Sequence, residues 1–347
     1  LFPDIEIKLI LMLMKLNRSL YKYPAAFLVI LLTYTRFMSA QPVPGVAENI
    51  PFLVTFGKEG KTSWGDNSFH SVWFYLVPPE YKKPFYIRVF DPDCGGENDE
   101  IQGDFNSRTA FSVYGGAGVD PEKNFDSRGD EKGLNYKKGN LLASRVFGKE
   151  PQFDNKPYNF GPFNPTDGDF NAKWNRYVFK IVVEGIVGDD GNLYRFFFSS
   201  DPNRDVPIEG ANAFTYKYIF RMWNDFRNVA HIYPYIDTGV ISVKVVNFDW
   251  DNDGQILVVS KYREGFPLKI SAEDDEAISE FTIEPPENKS SLDFQFHKRQ
   301  GELVKNNNVV IITKNQFDQT MPYYSSPIGG IPVYEAKVGR KPLPPKK

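Results

Sequence analysis

A chain of 347 residues with a formal net charge of -3 has no global basic field to hold a phosphate backbone, so no nucleic-acid partner is expected. A single cysteine, Cys94, rules out an intramolecular disulfide and argues against a small disulfide-stapled module. Hydrophobic residues at 41% and aromatics at 16% are enough for a sizeable core and favour strands.

The first forty residues read as an export segment with an upstream extension. Lys15, Arg18 and Lys22 form a basic region, residues 25–32 are an unbroken apolar run, and the small residues Ser39 and Ala40 precede Gln41. That order is the layout of a secretory signal peptide. The run is shorter than the ~20 apolar residues that span a bilayer. The alternative is an uncleaved anchor, and this segment is the only membrane contact expected. Residues 1–13 precede the plausible initiator Met14. The expected location is secreted, periplasmic or cell-surface, with a bacterial envelope favoured by the lack of disulfides.

After Gln41, short apolar and aromatic runs recur between Gly, Pro, Asn and Asp. The expected strands are 52–56, 72–77, 85–90, 110–114, 141–147, 177–187, 193–199, 214–222, 230–236, 240–248, 255–261, 278–283, 292–297 and 309–313. Period-2 alternation is plain in 176–184, where Tyr177, Phe179, Ile181 and Val183 share one face and Lys180 and Glu184 the other. It is plain again in 214–222, where Phe214, Tyr216, Tyr218, Phe220 and Met222 align. Such strands are expected to be half-solvated and antiparallel. Asp190-Gly191 and Asp253-Gly254 predict two tight hairpins. A helical turn is expected near 274–278, and 115–140 reads as a long surface loop. The polar segment 201–210 marks a domain boundary. The reading is all-β: two antiparallel β-sandwich domains, Ig-like or jelly-roll-like, at 46–200 and 205–335. A basic, Pro-rich tail at 336–347 follows.

Two acidic loops carry the candidate chemistry. Asp249, Asp251 and Asp253 alternate ahead of Gly254, the pattern that lets carboxylates converge on a calcium ion. It matches only the first half of an EF-hand loop, since Ser260 stands where the bidentate Glu belongs. Asp91 and Asp93 open an earlier loop with five carboxylates in ten residues, again a calcium candidate. Asp126, Asp130 and Glu131 are candidate further ligands. Trp250, between Asp249 and Asp251, is the candidate for stacking on a sugar. Trp64 and Trp223 sit in or beside loops, whereas Trp73 and Trp174 read as strand residues. Cys94 stands among carboxylates, which disfavours its thiolate. No H-E-x-x-H, G-x-S-x-G or C-x-x-C pattern is present. The expectation is a non-enzymatic protein for binding, adhesion or scaffolding, calcium-stabilised, whose partner is a cell-surface glycan or protein. The alternative is a carbohydrate-active jelly-roll enzyme or a carbohydrate-binding protein. An outer-membrane barrel ranks third.

Overall fold

The computed structural model describes residues 42–60, 69–124, 135–301 and 307–335. The expected export segment, Trp64, the trio Asp126, Asp130 and Glu131, and the 336–347 tail lie outside the described residues. The chain is nearly all-β, with 46% strand and 6% helix, in several antiparallel sheets of which none closes on itself. No described helix is long and apolar enough to cross a membrane.

The largest sheet has nine strands. Its main path runs Glu276–Thr282, Ser242–Phe248, Asn308–Asn315, Tyr218–Arg221, Phe52–Phe56, Gly191–Ser199, Phe85–Phe90 and Pro157–Phe163. A seven-stranded sheet orders Tyr323–Tyr324, Asn212–Thr215, His70–Val77, Arg176–Val187, Arg108–Gly115 and Asn140–Phe147 on its main path. A four-stranded sheet runs Ala230–Ile232, Asp293–Lys298, Gly254–Val259 and Phe266–Leu268.

The large sheet repeats itself from its two edges. Each outer quartet takes its strands, in chain order, as third, second, fourth, first: 157–163, 85–90, 191–199, 52–56 from one edge and 276–282, 242–248, 308–315, 218–221 from the other. The same holds opposite. Strands 70–77, 176–187, 108–115, 140–147 and strands 230–232, 293–298, 254–259, 266–268 both run first, fourth, second, third. The segment 201–210 separates the two sets. Yet Phe52–Phe56 pairs with Tyr218–Arg221 across them, and the described residues of Ala40–Lys347 form one compact unit.

Aromatic side chains fill the space between sheets. Tyr75 of the seven-stranded sheet stacks on Phe198 of the large one, ring centres 3.7 Å apart, and Phe111 meets Tyr194 edge-on at 5.1 Å. In the later half Phe220 meets Phe296 edge-on at 5.3 Å. Edge-to-face and offset contacts of this kind add stabilisation beyond buried area.

Four local expectations are corrected. Neither Asp-Gly pair closes a hairpin. Arg176–Val187 and Gly191–Ser199 belong to different sheets, as do Ser242–Phe248 and Gly254–Val259. The run 214–222 breaks at Tyr216–Lys217 and supplies strands to two sheets, so Phe214 and Tyr216 enter one core while Tyr218, Phe220 and Met222 enter another. The charged face of 176–184 is not solvated at Lys180, which is fully buried. The 274–278 turn is the start of strand Glu276–Thr282 instead.

Candidate ligand cleft and acidic loops

A cleft of about 660 Å³ opens beside the short strands at Tyr235–Ile236 and Tyr323–Tyr324. Its aromatic wall grows out of the core. Trp174 lies in the turn after Asp169–Asn171, where Asn171 Oδ1 accepts the Lys173 backbone N–H at 3.0 Å. Its ring tilts against Phe214 at 5.6 Å, Phe214 packs on Tyr324 at 5.1 Å, and Tyr235 meets Tyr324 edge-on at 5.9 Å. Tyr216 completes the wall. Burial raises the Tyr216 and Tyr324 phenols. Burial also raises Tyr235, with the Asp237 carboxylate adding to it. All three therefore keep their hydroxyl protons.

The rim is charged. Lys173 Nζ donates to Glu122 Oε1 at 2.6 Å, a bond that raises the lysine pKa. Lys314 pairs with Asp318 at 3.2 Å, and Asp237 also lines the cleft. No serine, cysteine or histidine is among the lining residues. Flat rings with acceptors and donors at the edge suit a polyhydroxylated ligand. Trp174, a strand residue by sequence pattern, stands in a turn, and the three tyrosines come from segments up to 108 positions apart, which no local pattern reveals.

The first acidic loop folds inward. Asp91 and Asp93 are buried. Asp91 accepts Asn98 Nδ2 at 2.7 Å and the Asn155 backbone N–H at 2.9 Å, and burial raises its pKa. Burial, then Asp91 and Asp154, push Asp93 up to about 7. Asp99 is bound by the backbone N–H groups of Gly95 at 2.6 Å and Leu193 at 2.7 Å. Cys94 is buried beside Thr109 and Asn192, and burial drives its thiol up to about 12, far from nucleophilic.

The second acidic loop carries its own cations. Asp253 is fully buried between Lys298 at 2.8 Å and Arg299 at 3.2 Å. Asp251 accepts Asn307 Nδ2 at 3.1 Å, and Asp249 accepts the Asp274 backbone N–H at 3.2 Å. Trp250, expected to stack on a ligand, is 0% exposed and packs edge-on against Phe296 at 5.6 Å. Both faces of its ring therefore belong to the core. Among the described residues no three His, Cys, Asp or Glu side chains stand in ready metal-ligand geometry.

Fold and site thus define a many-stranded antiparallel β protein with an aromatic, charge-rimmed cleft. No protein-family model and no curated protein sequence matches this chain.

Proposed function

We propose that this is an exported, non-enzymatic binding protein built as two tandem β-sandwich modules, which takes a glycan in the cleft at Trp174, Tyr235 and Tyr324. The carrying observation is the cleft itself: half-buried Trp174 and Tyr235 in its wall, backed by the buried Tyr216 and Tyr324, with paired carboxylates and ammonium groups at its rim. Stacking supplies contact area at low entropic cost, and the rim supplies hydroxyl partners. The repeated strand order of the two halves supports the tandem plan, and the basic-then-apolar start of the chain supports export to the envelope or beyond.

The test is a glycan microarray probed with the full chain, followed by hydrogen exchange with the retained glycan. Protection at 173–174, 235–237 and 314–324 is expected. An array without retained glycans, or protection confined to other segments, would overturn the reading.

A further inference from the structure

The two acidic loops are copies of one plan. Each leaves the second strand from an edge of the large sheet, Phe85–Phe90 or Ser242–Phe248, and each opens Phe-Asp-x-Asp. The first aspartate is left-handed in both, with φ 61° at Asp91 and 60° at Asp249. A second loop closes over it through another left-handed residue, Asn155 at φ 55° or Asp274 at φ 57°. Asn155 donates its backbone N–H to Asp91 Oδ1 at 2.9 Å, and Asp274 does the same to Asp249 Oδ1 at 3.2 Å. The return bond is repeated too. Asp91 N–H donates to the Lys156 carbonyl at 3.1 Å, and Asp249 N–H to the Asp275 carbonyl at 3.4 Å. An acidic residue precedes each closing residue, Asp154 in one and Glu273 in the other. Asp91, Asp93 and Asp154 therefore correspond to Asp249, Asp251 and Glu273.

The copies differ in how their charge is balanced. The second loop adds Asp253 and holds it against Lys298 and Arg299, while Asp251 accepts from Asn307. The position of Asp253 falls on Gly95 in the first loop. Among the described residues no lysine or arginine is in ion-pair contact with Asp91, Asp93 or Asp154; the Arg195 guanidinium acts on Asp91 from a distance, and no cation is paired with Asp93. Asp93 is 1% exposed, and its Oδ1 has no hydrogen-bond partner. A buried, ionised carboxylate oxygen without a donor is unfavourable unless it takes up a proton or a cation meets it, and a bound cation keeps it ionised. Asp154 overhangs the same loop: a Cβ on Gly96 would lie 2.4 Å from Asp154 Oδ1, so only glycine leaves it that place.

We propose that Asp91, Asp93 and Asp154 bind one hard divalent cation of the calcium type, and that the second loop takes none because Lys298 and Arg299 already supply its positive charge. Donors that are all oxygen select calcium over the transition metals. The half-buried Asp154 side chain turns toward Asp93 as the ion enters, since the three carboxylates are not preset in ligand geometry. This inference rests on the loops alone and is independent of the glycan reading.

Equilibrium dialysis of the chelator-stripped full chain against calcium chloride tests it. One calcium per chain is expected, with a dissociation constant on the order of 0.1–1 mM, as in extracellular modules. Asp93→Asn and the less buried Asp154→Asn should each weaken binding roughly tenfold or more, because affinity follows ligand charge. Asp251→Asn should leave both stoichiometry and affinity unchanged. Absence of binding to the wild type, two ions per chain, or loss in Asp251→Asn with retention in Asp154→Asn would overturn the proposal. Array binding is read separately, so either reading can fail without the other.

Discussion

Lys180 carries an ammonium group into a fully buried position, and its surroundings are polar but uncharged at contact. Its Nζ donates to Asn124 Oδ1 at 3.1 Å and to the Lys138 carbonyl, and lies 5.0 Å from the Tyr114 ring centre. Burial pushes its pKa down to about 7, below the ~10.4 of an unfolded lysine. Between those values the unfolded chain holds a proton that the folded chain lacks, so this residue makes stability rise with pH. Urea denaturation of wild type and Lys180→Met at pH 7 and pH 9 should show the wild type gaining stability relative to the variant at the higher pH. Equal gains would mean that Lys180 stays charged in the fold. The two tryptophans teach the same lesson about local reading. Trp250 looked available because acidic residues flank it, but Phe296 encloses it; Trp174 looked like an ordinary strand residue, but a turn sets it at the cleft.

At the scale of elements, residue chemistry marked most strands well, because alternation and β-branched content are local. The strands at 52–56 and 85–90 match their expected bounds. Pro157–Phe163 escaped notice since it carries two prolines and pairs only at the sheet edge, where prolines are tolerated. The Asp-Gly pairs misled for a physical reason. A glycine that permits a tight turn also permits close approach to the paired strand where the chain crosses into its next sheet. Gly191 lies where a Cβ would meet the Phe56 ring at 2.9 Å, and Gly254 where a Cβ would sit 1.9 Å from the His297 carbonyl oxygen. Asp190 meanwhile ties the crossing to the 102–107 loop by accepting three backbone N–H groups, from Gln102, Asn106 and Ser107. Because the Gly254 neighbour is backbone, Gly254→Ala should destabilise by about 2–4 kcal/mol, read as a lower urea midpoint. A loss below ~0.5 kcal/mol would mean that this crossing is not tightly packed.

For the whole molecule, the two strand sets share one buried core, and polar contacts reinforce their seam. Among the described residues, Phe220↔Leu53 and Arg221↔Phe52 pair across the large sheet. Beside them Arg221 forms a buried ion pair with Glu100, while its Nε donates to Asn308 Oδ1 at 2.7 Å and Asn308 Nδ2 donates to Glu100 at 3.0 Å. Breaking one side of a buried pair typically costs about 3–5 kcal/mol. Arg221→Ala should therefore lower the thermal midpoint; an unchanged midpoint would show that this ion pair does not hold the seam. The repeated strand order on either side of this seam was not legible in the sequence, because pairing order is set by long-range contacts; the Phe-Asp-x-Asp loops are its local counterpart. The cleft was illegible for a related reason, since Glu122, Trp174, Tyr235 and Tyr324 meet only through the sheets that carry them.

The most direct test of the proposed glycan binding is a solution titration of the full chain with the oligosaccharide selected on the array, wild type beside Trp174→Ala. Loss of one stacking face should weaken binding about tenfold, near 1.4 kcal/mol, with the thermal midpoint little changed. Equal affinity in the two proteins would contradict the assignment of the cleft as the ligand seat.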